Sequence, residues 1–251
     1  VKRDDLLSTH GVLGGKGRTL AALADGASGL VVYAARESPQ PARAARLCRE
    51  LGLPCRVHVP AGAGTESVAQ AEADGATVIR HRPGYLSVLS ARAREDAART
   101  GLRLVPFGGL SRAAAEALAP QVRNVPEDAG RLVVPLGSGT TLAGVLLGRQ
   151  TYGRRWPVLA VRVGHDPSRS LDALVPGWRA LCAVTDAPEA YAEAGDGELP
   201  GVPLHPNYEA KCVRHLRPGD CLWVVGSAQA VEAEAVEPEA VEKNGGGLDP
   251  L

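Results

Sequence analysis

Lys16 stands in the glycine-rich stretch STHGVLGGK, beside Gly14, Gly15 and Gly17, just ahead of a run that reads as a helix over 18–24. A lysine so placed has unusual freedom of backbone approach. If its amino group is buried its pKa falls, which makes it a Schiff-base-forming amine; the alternative is a solvated loop lysine. Far downstream, RLVVPLGSGTTLAGVLLG reads as a buried strand over 132–136, a tight loop and an apolar helix. Gly137 and Gly139 let the backbone turn sharply, and Ser138, Thr140 and Thr141 add hydroxyls at the positive end of the helix they open. An anion, most often a phosphate, suits that geometry, though an ordinary strand-to-helix connection has the same composition. The loop lacks the lysine of GxxxxGK[ST], so it is not a nucleoside-triphosphate loop of that type. Ser38, before Pro39, reads either as a helix cap or as a nucleophile or anion ligand. Tyr208 and Glu209 in HPNYEAK fall near a helix start, where an acid is also favourable for structural reasons alone.

These residues need elements to position them. Apolar runs at 29–34, 55–60, 76–79 and 102–105 alternate with helical patterns at 38–51, 66–74 and 86–99, with Ser38 as cap and Pro39 at the first helical position of the first of these. Such βαβα alternation with short connections predicts parallel sheets flanked by helices, an α/β fold. Phe107-Gly108-Gly109 breaks the pattern, and Ser111 caps a further helix to about residue 119. A buried strand at 158–163, partial helix within 171–195, a helix at 206–216 and a strand at 221–225 complete the reading. Residues 1–5 read as a short polar opening. The acidic, self-similar stretch from Ala228 to Leu251 has too little apolar surface to pack and reads as a flexible tail.

Composition narrows the class. Lys+Arg and Asp+Glu both number 28 in 251 residues, so no net field favours nucleic acid or an anionic membrane. Five cysteines, an odd number without a CxxC pair, fit a reducing compartment, and the histidines show no HxxxH spacing, so no metal site is expected. No stretch approaches the ~18 apolar residues of a membrane span, and no secretory signal pattern is visible. The expectation is a soluble, cytoplasmic protein with a small-molecule partner, bound to neither nucleic acid nor membrane.

Taken jointly the motifs point further. VKRDDLLSTHGVLGGKGRTL resembles the KRED…GGNKxRKLE segment of pyridoxal-phosphate enzymes of the tryptophan-synthase-β fold (fold type II), most of all the aminocyclopropane-carboxylate deaminase and D-cysteine desulfhydrase branch. ESPQPARAARLCRELGLPC is similar to that family's QSNQxRQxAxxAxxLGxxC helix, LVPFGGLS to its IPxGGSN turn, and GSGTTLAGVLLG to its phosphate loop. LHPNYEAK resembles its DPVYEGK segment and PGDCLWVVGS its KGDNVLFIHTG strand. All six occur in the family's order and cover most of the chain.

The resemblance implies two α/β domains, 26–107 inserted into a larger one made of 1–25 and 108–227, with pyridoxal 5'-phosphate in the cleft. It implies that Lys16 carries the cofactor and moves the substrate's α-proton, that Gly137, Ser138, Gly139, Thr140 and Thr141 hold the phosphate, and that Glu209 faces the pyridine nitrogen. Tyr208 would be an acid or base, Ser38 a ligand of the substrate carboxylate or a nucleophile, Gln40 its neighbour in substrate binding, and Ser227 the counterpart of a threonine near the ring. The implied activity is deamination or lyase chemistry by elimination on a small amino acid, in a homodimer. Departures accompany the likeness. Pro39 replaces an asparagine whose amide meets the cofactor's phenolic oxygen, Gly15 replaces the asparagine before the lysine, no counterpart of the segment ahead of KRED is seen, and 169–202 is short. A second active-site tyrosine finds no match in the sequence. Two other readings stand beside this one: a non-catalytic descendant that keeps the fold as a binding module, and an S-adenosylmethionine-dependent methyltransferase in which GSGTT and HPNY would be the motifs.

Overall fold

The computed structural model describes residues 1–36 and 38–226. Among these, the elements in chain order are β1 (Lys2–Arg3), β2 (Ser8–Thr9), β3 (Val12–Leu13), α1 (Gly15–Ala24), β4 (Leu30–Tyr33), α2 (Gln40–Glu50), β5 (Cys55–Pro60), α3 (Glu66–Ala73), β6 (Thr77–His81), α4 (Leu86–Thr100) and β7 (Arg103–Leu104). After them come α5 (Arg112–Leu118), β8 (Arg131–Leu136), α6 (Thr140–Thr151), β9 (Val158–Arg162), α7 (Ser168–Leu174), β10 (Ala183–Asp186), α8 (Glu209–Cys212) and β11 (Asp220–Val224).

Two parallel sheets result. One has the order β1-β11-β8-β9-β10, the other β6-β5-β4-β7, and β2 with β3 forms a separate antiparallel hairpin. Short apolar strands such as LVVY and LVVPL are buried along their length, as strands covered by helices on both faces must be. Each sheet has its own core. Leu132, Val134, Leu142, Leu146 and Trp223 pack in the five-stranded layer, and Leu30, Val32, Leu47, Val57 and Leu20 of α1 pack in the four-stranded one.

Several local details differ from the sequence reading. The polar opening is a strand: β1 pairs with β11, and its charges are neutralised inside the protein. Asp4 Oδ2 accepts from Trp223 Nε1 at 2.9 Å, and Lys2 pairs with Asp4 while lying over the Trp223 ring. Ser38 does not cap α2 in the expected way. Pro39 is the residue preceding the helix, Pro41 occupies its first turn, and Ser38 Oγ accepts from the Gln40 amide at 3.2 Å. The helix read over 206–216 contracts to α8 plus a short 3-10 turn, and 187–207 is largely irregular. The strand β10 was missed because its residues are mostly exposed and lack an apolar run. Ser111 does cap as expected, its Oγ accepting from Ala114 N at 3.1 Å. The acidic stretch and Ser227 lie outside the described residues.

Pro135 sits within a central strand, where a missing N–H normally costs a ladder bond. Here the pairing of β8 with β11 ends at Val133, and only β9 continues beside Pro135 and Leu136. The carboxyl ends of β8 and β11 are therefore released from one another. Crevices for ligands in open α/β sheets form at such strand ends.

Candidate active site

A cavity of about 610 Å³ opens at those strand ends, within the range of small-molecule sites. Its walls come from both sheets: Lys16 of α1, Ser38, Pro39, Gln40 and Arg43 around the start of α2, the turn 106–110, the loop 137–141 and Tyr208-Glu209 all face it. Every site residue named from the sequence within the described residues lines this one space.

Lys16 lies within the first turn of α1, and its Nζ donates to the carbonyl oxygen of Gly108. Burial lowers its pKa to about 8, with the nearby positive charge of Arg43 acting in the same direction. Gly15 is explained by its surroundings, since a Cβ there would stand 3.0 Å from Asp4 Oδ2. The asparagine expected at that position would meet this buried carboxylate.

The anion-type loop follows β8 directly. Gly139, with φ +89°, precedes α6, a helix of 12 residues whose first amides face the loop. Ser138 Oγ and Thr140 Oγ1 lie 3.1 Å apart, and Thr140 Oγ1 donates to Gly108 O at 3.0 Å. One carbonyl thus joins Lys16 to the loop. Gly108 itself has φ +63°, and a Cβ on it would come 2.1 Å from Ser138 Cβ, so the PFGGLS turn tolerates only glycine where it meets the loop.

Glu209 is buried at 1 % exposure; Oε1 accepts from the Val225 amide at 2.8 Å and Oε2 has no partner. Burial pushes its pKa up to about 7, against the pull of bonds from the backbone at Val225 and Gly226. An orphaned buried carboxylate oxygen calls for a donor supplied from outside the chain. Tyr208 is likewise raised well above an ordinary phenol, by burial and then by Tyr191. His205 packs edge-on to Tyr208 at 4.9 Å, and burial, with Arg43, lowers it to about 4, so its ring is neutral near pH 7.

Two site residues escaped the sequence reading. Tyr191 is one of them: its hydroxyl lies 2.9 Å from that of Tyr208. It comes from the irregular stretch, where no periodicity marks it, and its carbonyl is held by Lys211 Nζ at 3.3 Å and Asn207 Nδ2 at 3.0 Å. Arg43 is the other, a residue only 8 % exposed that lines the cavity. Its signal was present: Arg43 and Arg46 recur at i, i+3 on a helix whose other buried residues are mostly alanine and leucine. A cluster outside the cavity was also not foreseen, in which His58 bridges His81 at 2.8 Å and Asp96 at 2.9 Å.

A lysine of lowered pKa, a helix-start loop of hydroxyls and an unpartnered buried carboxylate share one cavity, a set of groups whose chemistry suits a phosphorylated aromatic aldehyde. Residues 15–211 match the model of the pyridoxal-phosphate-dependent enzymes, and the chain belongs to that family; its cofactor is pyridoxal 5'-phosphate. Among solved structures, an ACC deaminase homologue superposes with TM-score 0.75 at 20% identity, covering 91% of this chain and 84% of that one. O-ureido-L-serine synthase gives TM-score 0.62 at 15% identity over 87% and 81%, and maize serine racemase 0.61 at 17% over 88% and 80%. The fold is that of tryptophan-synthase-β-like, fold type II enzymes. A comparison with the curated proteins finds no match. GSGTT and HPNY both lie inside the stretch matched to the family, which removes the methyltransferase reading. Among the described residues no helix is long and apolar enough to cross a membrane.

Proposed function

We propose that the protein is a pyridoxal-phosphate-dependent deaminase or lyase acting on a small amino acid, in the manner of aminocyclopropane-carboxylate deaminase or D-cysteine desulfhydrase. The observation that carries this reading is the hydrogen-bonded pair Tyr191–Tyr208 on the same cavity as Lys16 and Ser38. Two phenols within proton-transfer reach of one another give the site an acid and a base besides the lysine.

In this reading Lys16 anchors the cofactor and afterwards holds the proton taken from the substrate's α-carbon, a role its pKa of about 8 suits. Gly137 to Thr141 grip the phosphate through backbone amides and hydroxyls. Glu209 accepts from the protonated pyridine nitrogen with the oxygen that lacks a partner. The bound ring supplies an electron sink for the pair left at the α-carbon. Ser38 and Gln40, at the start of α2, receive the substrate carboxylate, and Ser38 Oγ is the candidate nucleophile. Tyr208 exchanges a proton with the substrate, with Tyr191 as its relay.

The test is turnover. Release of ammonia, α-keto acid or sulfide is measured over a panel of small amino acids of both hands, 1-aminocyclopropane-carboxylate and D-cysteine included. Product from at least one of them, abolished by Lys16→Ala, is expected. A protein that takes up cofactor yet yields no product from any would instead be the non-catalytic descendant, a reading that Pro39 favours because it offers the cofactor no side-chain donor.

A further inference from the structure

The cavity contains a cation that the roles above leave unused. Arg43 is more than nine-tenths buried, its side chain lines the cavity, and its Nε is a buried donor without a partner. Guanidinium keeps its charge under ordinary conditions and presents five donors in a plane, so a buried one calls for an oxyanion. Burial pulls it below its ordinary pKa, and Tyr208 and Glu209 pull the other way.

Its position narrows which oxyanion. The Arg43 amide bonds to the Pro39 carbonyl at 3.2 Å, so Arg43 stands one helical turn beyond Pro39 on the same face of α2. A Cβ on Gly226 would lie 3.5 Å from Arg43 Nη2, which puts the guanidinium against the residue following Val225, whose amide holds Glu209. Its charge also bears on Lys16. Arg43 thus acts electrostatically on both the lysine and the carboxylate that line the same cavity.

A pyridoxal ring has few edges to distribute. With its aldehyde carbon at Lys16, its phosphate at 137–141 and its nitrogen at Glu209, the edge that remains carries the methyl group and the phenolic oxygen. That edge runs between the aldehyde carbon and the nitrogen, on the side away from the phosphate. We propose that Arg43 is the residue that binds the cofactor's phenolic oxygen, donating to it and holding it as the oxyanion. The inference rests on the assignments of Lys16 and Glu209 made above.

Charge-assisted hydrogen bonds of this kind contribute about 10- to 100-fold to affinity. The experiment uses apo full-length protein and the variants Arg43→Gln and Arg43→Lys. Each is titrated by tryptophan fluorescence with pyridoxal 5'-phosphate and with its 3-deoxy analogue, which lacks the phenolic oxygen. Wild type is expected to prefer the natural cofactor by at least about tenfold, Arg43→Gln to lose that preference to within about twofold, and Arg43→Lys to keep part of it. The comparison is a ratio within each variant, so a general loss of stability cancels. An Arg43→Gln protein with the wild-type ratio overturns the proposal. So does an unchanged ratio joined to weakened binding of a small amino acid to the cofactor-loaded protein, which would assign Arg43 to the substrate carboxylate. If borohydride fixes no cofactor on Lys16 of wild type, the underlying assignment fails and the proposal falls with it; fixation there with an unchanged ratio refutes the Arg43 role alone.

Discussion

The hydroxyl of Tyr191 lies 2.9 Å from that of Tyr208, although the two residues come from an irregular loop and from the residue before α8. Burial raises Tyr208, and its neighbour's hydroxyl raises it further. Replacing Tyr191 by Phe removes that second contribution. Tyr191→Phe is therefore expected to lower kcat by about 10²-fold or more with little change in cofactor affinity. An unchanged kcat would remove Tyr191 from the proposed chemistry.

The contact between the PFGGLS turn and the loop 137–141 is equally specific. Gly108→Ala places a Cβ 2.1 Å from Ser138 Cβ at a backbone angle of +63°, so it is expected to cost about 1–3 kcal/mol of stability and to displace the loop. Cofactor affinity should fall more for pyridoxal 5'-phosphate than for pyridoxal, which has no phosphate to lose. Thr140→Asp sets a carboxylate at the same place and should abolish binding of the phosphorylated form while circular dichroism stays unchanged. Equal losses for both ligands would show that the loop does not grip the phosphate.

Glu209 makes the stability of the apo protein depend on pH. Its folded pKa of about 7 lies above the ordinary 4.5, so the folded chain holds the proton more tightly than the unfolded chain. Stability is full below about pH 4.5 in this respect and declines as pH rises to about 7, by on the order of 3 kcal/mol. Glu209→Gln should flatten that decline in urea denaturation curves collected between pH 5 and 7.5. His205, held near 4 by burial and Arg43, acts in the opposite direction and costs stability as pH falls from 6.5 toward 4. Comparing Glu209→Gln with wild type at each pH isolates the carboxylate. Identical slopes for the two proteins would mean that Glu209 is ionised throughout the range.

Asp96 of α4 ties that helix to β5 in the four-stranded layer. Burial alone would raise its carboxyl, but Arg56, His58 and Arg99 outweigh it and hold it below the usual carboxylate range. Its oxygens accept from Arg56 Nε at 2.6 Å and from His58 Nε2 at 2.9 Å. Asp96→Asn leaves Arg56 without its counter-charge and changes the acceptor that His58 meets, and should destabilise by about 3 kcal/mol. Differential scanning calorimetry should show that loss at pH 7. Because the group's folded pKa is depressed, the difference between mutant and wild type should shrink as pH falls below about 4.

Most of the architecture was visible in the chain because the buried parallel strands are short apolar runs separated by amphipathic helices. LVVY, CRVHVP and LVVPL fall where their residues require. The site was legible where glycine or a helix start marks it, as at Lys16, Ser38 and the loop 137–141. It was illegible where tertiary contacts alone decide. Tyr191 enters through a loop fixed by Lys211 and Asn207, and no local pattern announces that. The KRDD opening reads as polar surface because its burial rests on pairing with β11 and on Trp223, more than two hundred residues away, while its charges pair with one another. Arg43 departs from a general rule, that arginines on a helix face water, because its helix start lines the cavity instead.

The central claim is that Lys16 holds the cofactor, and the chain offers a clean test because it contains only four lysines: Lys2, Lys16, Lys211 and Lys243. Lys2 is paired with Asp4, and Lys211 donates to Ala190 O at 2.7 Å, whereas Lys16 faces the cavity. Purified protein loaded with pyridoxal 5'-phosphate, reduced with borohydride and digested should carry the phosphopyridoxyl mass on the peptide containing Lys16. The visible absorbance band should disappear on reduction. A protein that takes up no label, or carries it on another lysine, contradicts the account.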